Sequence, residues 1–338
     1  MTTLTLNAQD LKTVPDLVAG QAAATPESLA LAAGDRRLTY GDLEARAEWL
    51  ANRLCSLGVA PGDIVVSIDG RPARQALAAE EALVSASTPQ WRRFVAELNL
   101  SYGRKDEAVR LELKAAGGSV KQVTLTRSMS PADPPLREPR PDKVAEIRPG
   151  IYYVDLDRAE DQDITAALDK IAAAKGLVVD LRGYPHGSPM LLAHLTDQAV
   201  RSARWNVPVV VRPDHQGMTF EESGWPVEPA APRIHAKVAF LTDGRAISYA
   251  ETYMGIVEAF HLAAIIGGPT AGTNGNVNPF TLPGGYNVVW TGMKVLKHDG
   301  SRHHGVGIHP TVPVTPTAAG IAAGRDEVLE KAIEVVGG

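Results

Sequence analysis

The stretch "KVAFLTDGRAISYAETYMGIVEAFH", residues 237–261, changes its hydrophobic period on the two sides of one serine, Ser248. Residues 237–241 form an apolar run, which predicts a buried strand. A helical period of three to four residues follows, formed by Ala250, Met254, Val257 and His261. Ser248 should therefore lie between a strand and a helix, where the free N–H groups of the helix start can face a negative charge. That position suits a nucleophile, and it suits an ordinary N-cap serine equally well.

The composition is that of a globular protein of two or three domains, with 338 residues, of which 44% are hydrophobic. The formal net charge is −5 and no long basic run occurs, so neither nucleic acid nor an anionic membrane is expected as a partner. Cys55 is the only cysteine, which excludes an intramolecular disulfide and a cysteine-based metal cluster. The first residues do not have the pattern of a secretory signal, and no apolar run approaches about 18 residues, the length that spans a membrane. We therefore expect a soluble cytoplasmic protein.

The chain divides into four parts where its composition changes. Residues 13–58 combine helical patterns around 15–24 and 40–56 with a predicted hairpin at 28–39, whose turn would be Gly34-Asp35. Residues 59–127 have the pattern of a compact α+β module. Residues 128–143 carry five prolines in sixteen positions, which excludes a helix or a central strand and predicts a linker. Residues 144–338 alternate strand and helix patterns, which predicts an α/β domain.

The hydrophobic periods also predict the elements of the second and fourth parts. In the module we expect strands at 64–68, 108–113 and 119–126, with helices within 74–102. In the α/β domain we expect strands at 151–156, 176–181, 207–212, 236–241, 263–266 and twice within 286–296, with helices at 162–174, 189–200, 248–261 and 324–336.

Five blocks of the sequence are similar to the tail-specific (C-terminal processing) serine peptidases and occur in that family's order. The first resembles the second half of a PDZ domain, and the others resemble blocks of the family's catalytic domain. They are "GVAPGDIVVSIDGRP" (58–72), "GLVVDLRGYPHG" (176–187), "FLTDGRAISYAE" (240–251), "AAIIGGPTAGTNG" (263–275) and "HDGSRHHGVGIHPTVPV" (298–314). The resemblance implies an α/β catalytic domain of the tail-specific peptidase (ClpP/crotonase-like) type, preceded by a partial PDZ-like α+β module.

The same resemblance implies roles for three residues. Ser248 matches the family nucleophile, three positions before Glu251. Gly187 matches the second glycine of the family's Gly-Gly pair, and its N–H with that of Tyr249 would form an oxyanion hole. Acyl transfer needs two such donors aimed at the carbonyl oxygen as it becomes negative, and one donor lowers the barrier by about 3–4 kcal/mol.

The general base departs from the family pattern. The position of the family's lysine is occupied by Thr273, which excludes the Ser-Lys mechanism. The tricorn-type branch of the family places a histidine in the first strand of the catalytic domain, and the matching residue here is Asp155. His186 replaces the first glycine of the Gly-Gly pair, and His304 lies in the block where that branch has a glutamate. Asp155, His186 and His304 are therefore the three candidates around the expected site, with His304 preferred as the base and His186 second. The sequence alone does not show that they converge on Ser248.

Other polar residues of these blocks have structural interpretations. Asp180 and Arg182 end the predicted strand 176–181, and we expect an ion pair that holds the following loop. His298, His303, His304 and His309 could suggest a metal site, but no paired carboxylate or cysteine lies at a fixed helical spacing from them. We therefore expect no metal and no cofactor.

Residues 17–63 resemble the opening of the adenylation domains of nonribosomal peptide synthetases. The block "LTYGDLEARAEWLANRLCSLGVAPGD" (38–63) carries that likeness together with "ATPESLALAAGDRR" (24–37). The phosphate-binding loop and the later motifs of those enzymes are missing, so adenylation activity is not expected. The two resemblances overlap at "GVAPGD" (58–63), where the first half of the PDZ-like module is replaced.

Two classes of function remain open on the sequence. The first is a serine-type endopeptidase that acts on a peptide or protein substrate without the usual lysine. The second is a catalytically inactive ligand- or peptide-binding member of the same fold family, which the missing lysine and the truncated module favour. A homo-oligomer is compatible with either class.

Overall fold

The structure is a computed structural model that describes residues 29–33, 36–39, 59–104, 106–115, 117–127 and 139–338. The predicted hairpin is present as two antiparallel strands, β1 (Leu29–Ala33) and β2 (Arg36–Thr39). Its proposed turn, Gly34-Asp35, lies outside the described residues, as do the helices expected around 15–24 and 40–56. The two predicted boundaries at 58 and 128 stay predictions.

The α+β module follows the predicted order of elements closely. A four-stranded sheet in the order β4-β3-β5-β6 packs with two helices. The elements are β3 (Ile64–Ile68), β4 (Arg71–Pro72), α1 (Ala73–Leu83), α2 (Pro89–Ser101), β5 (Ala108–Lys114) and β6 (Val120–Thr126). The α/β character of the chain is confirmed, whereas the PDZ-like identity of this module is a prediction that stays open.

The larger part of the chain is built on a six-stranded sheet. The strands lie side by side in chain order, with β7 antiparallel to β8 and the other neighbours parallel. They are β7 (Val144–Arg148), β8 (Ile151–Asp155), β9 (Gly176–Asp180), β14 (Lys237–Thr242), β15 (Ala264–Gly267) and β19 (Val312–Pro313). All five residues of β9 are buried, as expected for a central parallel strand covered on both faces.

Helices cover both faces of this sheet. On one face α3 (Asp161–Ala172) and α5 (Tyr249–Ala259) pack with the short helix α4 (Met190–Ala193) in the larger hydrophobic core. On the other face α7 (Glu327–Gly337), preceded by α6 (Ala318–Ala322), closes a second core. The result is a three-layer α/β arrangement in which successive parallel strands leave their carboxyl ends at one edge.

Three smaller β units project from this arrangement. Strand β11 pairs with β12 and β18, β10 pairs with β13, and β16 pairs with β17. Their bounds are β10 (Val200–Arg201), β11 (Arg204–Val209), β12 (Thr219–Ser223), β13 (Pro226–Val227), β16 (Asn278–Leu282), β17 (Tyr286–Trp290) and β18 (Lys294–Leu296).

One predicted helix is wrong. The sequence pattern at 189–200 gives only the four residues of α4, after which the chain turns at Thr196 and enters β10. The Thr196 hydroxyl donates to the Gln198 carbonyl at 2.8 Å and accepts from the Gln198 N–H at 3.3 Å. This local side-chain bonding competes with the helix and ends it.

The start of α2 contacts the larger part of the chain directly. The buried hydroxyl of Thr88 caps α2 by accepting from Trp91 N at 3.3 Å, and it donates to the carbonyl of Ala271 at 2.6 Å. A side chain on Gly272, which has φ +72°, would meet the Thr88 methyl group at 2.3 Å. Gln90 adds a hydrogen bond of 2.7 Å to the Thr270 carbonyl. The module is therefore attached to the loop that follows β15.

In the described part of the chain, the helices are too short or too polar to cross a membrane.

Candidate active site

The candidate residues lie where three neighbouring strands end. The loop after β9 carries His186 and Gly187, the loop after β14 ends at Ser248, and the loop after β15 contains Thr273. Because β9, β14 and β15 are parallel and adjacent, these loops leave the same edge of the sheet. This edge is where open α/β sheets place their ligand sites.

Ser248 has the backbone conformation of a constrained turn residue. Its φ and ψ are +55° and −109°, and it occupies the N-cap position of α5 without a capping hydrogen bond from its side chain. A positive φ is uncommon for a residue with a Cβ and persists only where the surroundings enforce it. The Ser248 N–H donates to the Thr273 carbonyl at 3.0 Å, which ties the strained turn to the loop after β15. Of the two interpretations of the sequence, ordinary capping does not describe this serine.

Glu251 fixes the loop after β15. Its buried carboxylate accepts from the Thr270 hydroxyl at 2.5 Å, from the Gly272 N–H at 2.6 Å and from the Thr273 N–H at 2.8 Å. Three donors account for most of the hydrogen-bonding capacity of one carboxylate. The glutamate three positions after Ser248 is therefore part of the support of the site.

The loop that carries Gly187 is anchored at the start of α3. The Ser188 N–H donates to Asp161 Oδ1 at 2.8 Å, and a Cβ on Gly187 would lie 2.5 Å from the same oxygen. This close approach explains why glycine occupies the position. In the described part of the chain, the N–H of Gly187 has no hydrogen-bond acceptor. The N–H of Tyr249, at the first position of α5, likewise has none among those residues.

The side chain of Tyr249 joins these two segments. Its hydroxyl donates to the Gly187 carbonyl at 3.0 Å, and one turn later the Tyr253 hydroxyl donates to the Ser188 carbonyl at 3.2 Å. Burial, with smaller contributions from Asp161 and Tyr184, raises the pKa of Tyr249 to about 12. The hydroxyl is therefore protonated near neutral pH and acts as a donor.

His304 contacts the loop after β15, which also accepts the hydrogen bond of the Ser248 N–H. Its Nε2 is 2.7 Å from the carbonyl oxygen of Asn274, the residue after Thr273. A carbonyl only accepts, so Nε2 carries the proton of the neutral ring and Nδ1 keeps the lone pair. The ring is half-buried, and its tautomer is assigned from this contact.

The neighbouring His303 is turned into the interior. It is 2% exposed, and its Nε2 lies 3.3 Å from Glu251 Oε1, at ion-pair distance without the alignment of a hydrogen bond. This contact joins the His303 segment to the same glutamate that holds the Thr270 loop. His303 therefore belongs to the support of the site.

His186 is exposed on the loop that carries Gly187. Its backbone N–H donates to the Leu156 carbonyl at 3.1 Å, which fixes the main chain. No hydrogen bond of the His186 ring is formed within the part of the chain that the structure describes.

Asp155 lies in a different group of side chains. Its buried carboxylate contacts Arg158 Nε at 2.7 Å and Arg140 Nη1 at 3.2 Å, accepts from the Tyr153 hydroxyl at 3.2 Å and accepts from the Asp157 N–H at 3.0 Å. Both oxygens are therefore engaged by donors of the strand end and its neighbours. The structure does not bring Asp155 into contact with Ser248 or with either candidate histidine.

The predicted ion pair of Asp180 and Arg182 is confirmed and forms part of the same group. Arg182 Nη2 is 2.6 Å from Asp180 Oδ2 and 2.7 Å from Asp326 Oδ2, at the N-cap of α7. Burial alone would raise the pKa of Asp180, but Arg182 and Arg140 outweigh it and lower the pKa to about 2. Three guanidinium groups thus face three carboxylates. We call these six residues the charge cluster: Asp155, Asp180, Asp326, Arg140, Arg158 and Arg182.

Sequence reasoning missed three features of this site. It did not assign the hydroxyl of Tyr249 or the carbonyl of Asn274, because both act through contacts between loops distant in sequence. It also missed a group of aromatic rings around Tyr249. The spacing of Tyr249 and Tyr253, four residues apart on one helix, could have indicated a shared face.

Residues 150–314 match the family model of Peptidase family S41. Every candidate site residue lies inside this match. The match supports the peptidase resemblance that the five sequence blocks carry.

The fold agrees with that of a solved structure, mature CPAF. The two superpose with a TM-score of 0.63 at 14% identity, over 81% of this chain and 76% of that one. At this identity the likeness concerns the fold.

The first part of the chain has a separate similarity. Residues 18–89 match the model of an AMP-binding enzyme. A linear gramicidin synthase chain of Brevibacillus parabrevis is 54% identical over 54 residues, which are 16% of this chain and 1% of that protein. A plipastatin synthase chain of Bacillus subtilis is 45% identical over 60 residues, 18% of this chain and 2% of that protein. The chain therefore joins a segment similar to AMP-binding enzymes to a stretch that matches the model of Peptidase family S41 and contains every candidate site residue.

Proposed function

We propose that the chain is a serine-type endopeptidase with Ser248 as its nucleophile. The observation that carries the proposal is the combination of a strained serine that does not cap its helix with two backbone N–H groups that lack acceptors among the described residues: that of Tyr249, the next residue, and that of Gly187, on the loop that the Tyr249 hydroxyl contacts. Strained backbone and unpaired donors are retained where a reacting group supplies the missing interaction. The match to Peptidase family S41 supports the same reaction class.

In the proposed reaction, Ser248 Oγ attacks the carbonyl carbon of the scissile peptide bond. The carbonyl oxygen becomes negative and accepts hydrogen bonds from the N–H groups of Gly187 and Tyr249. Donors fixed before the reaction need no reorganisation as this charge develops. The loop that carries the Gly187 N–H is held by Asp161 and by the Tyr249 hydroxyl.

His304 is the proposed general base. Its Nε2–H is directed at the Asn274 carbonyl, which leaves Nδ1 to take the proton of Ser248 and to return it to the leaving amine. Water then attacks the acyl-enzyme by the reverse sequence of proton transfers. In this scheme a backbone carbonyl orients the histidine, where a triad would use a carboxylate. Asp155 is assigned to the charge cluster, and His186 is assigned no step.

Labelling with a fluorophosphonate probe tests the nucleophile. Wild-type protein should be labelled, and Ser248→Ala should abolish both labelling and peptide hydrolysis while the thermal unfolding midpoint stays close to that of wild type. Labelling that persists in Ser248→Ala would assign the reactive group to another residue.

Two histidine variants test the base. His304→Ala should lower the labelling rate and kcat by about 10²–10⁴-fold, the usual contribution of a general base. His186→Ala, a matched change of an exposed histidine on the opposite loop, should leave both within a factor of about three. Reversed effects would transfer the role to His186.

The binding class has one observation in its favour. No described contact links His304 to the Ser248 hydroxyl, and Thr273 occupies the position of the family's lysine. A folded wild-type protein that neither reacts with the probe nor hydrolyses a peptide library, yet binds peptides, would replace the peptidase proposal with this second class.

A further inference from the structure

A group of aromatic rings extends from the residue next to the proposed nucleophile. The ring of Tyr249 lies 6.1 Å from that of Tyr184, 5.9 Å from that of Tyr253 and 6.4 Å from that of Trp225. Trp225 is in turn 6.3 Å from Trp205. These separations are those of aromatic pairs in contact. We define the five residues as the aromatic surface.

The polar ends of two of these rings are used by the loop that carries Gly187. The hydroxyls of Tyr249 and Tyr253 donate to the carbonyls of Gly187 and Ser188. Their hydrogen-bonding needs are therefore met inside the protein. Of the two rings, that of Tyr249 is half-buried and can present part of its apolar face beside the loop.

The aromatic surface is open to an incoming molecule at its outer end. Tyr184 is 43% exposed, although it lies only three positions before Gly187 in the same loop. Trp225 and Tyr249 are half-buried, whereas Tyr253 is fully buried. A large exposed ring beside unpaired backbone donors is a surface that a ligand's apolar group would cover.

Trp225 also lines a cavity of about 260 Å³. Sites that enclose a whole small-molecule ligand are commonly about 300–1,000 Å³. This cavity is therefore of a size for one side chain and its adjoining backbone. Its other lining residues are Ala199, Val200, Arg201, Gly224 and Pro226.

The charges around the cavity disfavour a cationic occupant. Arg201 is the charged residue of the lining, and its Nη2 lies 3.5 Å from Glu222 Oε1 in an exposed ion pair. A lysine or arginine side chain would have to approach this guanidinium. An apolar or aromatic side chain meets the ring of Trp225 without that repulsion.

We propose that the aromatic surface and the Trp225 cavity form a specificity subsite that binds an aromatic side chain of the substrate next to the scissile peptide bond. The inference rests on the proposed peptidase function, because it places the subsite beside Ser248 and the Gly187 loop. Trp225 belongs both to the aromatic surface and to the cavity lining, Tyr249 follows Ser248 directly, and Tyr184 is the exposed ring.

A matched peptide series measures the preference. The peptides differ only at the residues flanking one bond, which are Phe, Ala, Lys or Glu. We expect kcat/KM to be about 10–100-fold higher for the Phe peptide than for the Ala peptide, and to be lowest for the Lys peptide. Trp225→Ala and Tyr184→Ala should each reduce the Phe-to-Ala ratio about tenfold. Tyr102→Ala, which removes an exposed ring from the end of α2, should leave the ratio unchanged.

The rate of fluorophosphonate labelling separates this inference from the proposed function. Tyr184→Ala alters an exposed side chain, so it keeps the test valid if Trp225→Ala does not fold. Labelling at the wild-type rate together with a lost preference for Phe supports the subsite. Equal cleavage of Phe and Ala peptides by wild type, or a preference that survives both variants, overturns it.

Peptide binding to the Ser248→Ala variant tests the subsite without the need for catalysis. Calorimetric titration should give a dissociation constant at least about tenfold lower for the Phe peptide than for the Ala peptide, and Tyr184→Ala in the same background should remove the difference. If wild type shows no hydrolysis but this difference is found, the peptidase function fails and the subsite stands. If both peptides bind equally, the subsite fails whatever the activity.

Discussion

The charge cluster and the Ser248 site lie after neighbouring strands of one sheet, and they use their polar groups in opposite ways. In the charge cluster both oxygens of Asp180 accept from Arg182, and Tyr153 and Arg140 complete the surroundings. At the Ser248 site two N–H groups lack acceptors among the described residues, and the serine hydroxyl does not cap its helix. Paired charges hold a fold, whereas backbone donors without acceptors beside a strained residue are available to a substrate.

One loop connects the two regions. It begins at Arg182, whose carbonyl accepts from Arg140 Nη2 at 2.9 Å, and the Tyr184 N–H donates to Asp157 Oδ1 at 3.1 Å. Gly187 lies at its far end. The charge cluster therefore fixes the first part of the loop whose last part carries the proposed oxyanion donor.

The largest predicted effect is a change in the free energy of unfolding, which we expect in the charge cluster. Asp180→Asn should destabilise the protein by about 3–5 kcal/mol, because Arg182 is then left buried with an incomplete set of partners. Denaturant unfolding measures this change. Glu334→Ala, which removes the exposed pair with Lys331, is the control and should cost less than about 1 kcal/mol. A small effect of Asp180→Asn would mean that the charge cluster does not hold the fold.

The second effect should appear in activity. Gly187→Val places a Cβ against Asp161 Oδ1 and displaces the N–H proposed for the oxyanion hole. We expect kcat to fall about 10²-fold or more, with the folded state retained. Gly117→Val, in a turn with open space around its Cβ, serves as the control and should keep full activity. Full activity of a folded Gly187→Val protein would remove Gly187 from the mechanism.

The third predicted effect is on the pH dependence of the free energy of unfolding. The pKa of Asp180 is about 2 in the folded protein and near 3.8 when unpaired, so the unfolded state binds more protons in this range. The resulting stabilisation, about 2 kcal/mol, is present above about pH 4 and is lost as the pH falls towards about 2. Unfolding free energies measured from about pH 5 to about pH 2 should decrease less steeply in Asp180→Asn than in wild type. Parallel curves would contradict the assigned pKa.

The smallest effect compares two hydroxyls that bind consecutive carbonyls. Tyr249→Phe should lower kcat about tenfold with little change in KM, because the Gly187 carbonyl loses the donor that positions it. Tyr253→Phe removes the neighbouring bond to Ser188 and should cost mainly stability, about 1 kcal/mol. If both variants lower kcat equally, the Tyr249 hydroxyl has no special positioning role.

Local patterns predicted the elements on which the site is built. The apolar run at 237–241 and the helical repeat after Ser248 correspond to β14 and α5, because buried strands and helices impose different periods on the same chain. The ion pair of Asp180 and Arg182 was also predictable, since its partners are two residues apart. The chain order of the six strands agrees with the preference of successive core elements to lie side by side, although β9–β14 and β15–β19 are joined by long connections.

Contacts between distant loops could not be predicted in this way. His303 and Glu251 are far apart in the sequence, and nothing in either local pattern indicates that they meet in the interior. Asp155 has the position of a catalytic residue in the related family, but Arg140 from the proline-rich segment and Arg158 bind it instead. The strands β12 and β16 were missed because exposed hairpins do not show the burial pattern of a core strand.

The hydrogen bond of the Thr88 hydroxyl joins two stretches of the chain that match different family models. The similarity to AMP-binding enzymes extends to residue 89, so Thr88 belongs to that stretch, yet it is bonded to Ala271 in the loop that also holds the Ser248 turn. The boundary between the two similarities therefore does not coincide with a boundary in the packing. In a fragment that begins at residue 150, where the match to Peptidase family S41 begins, the Ala271 carbonyl would lack this donor. The space beside Gly272 that Thr88 fills would be empty. Thr88, at the end of the stretch similar to AMP-binding enzymes, is therefore part of the packing of the stretch that matches Peptidase family S41.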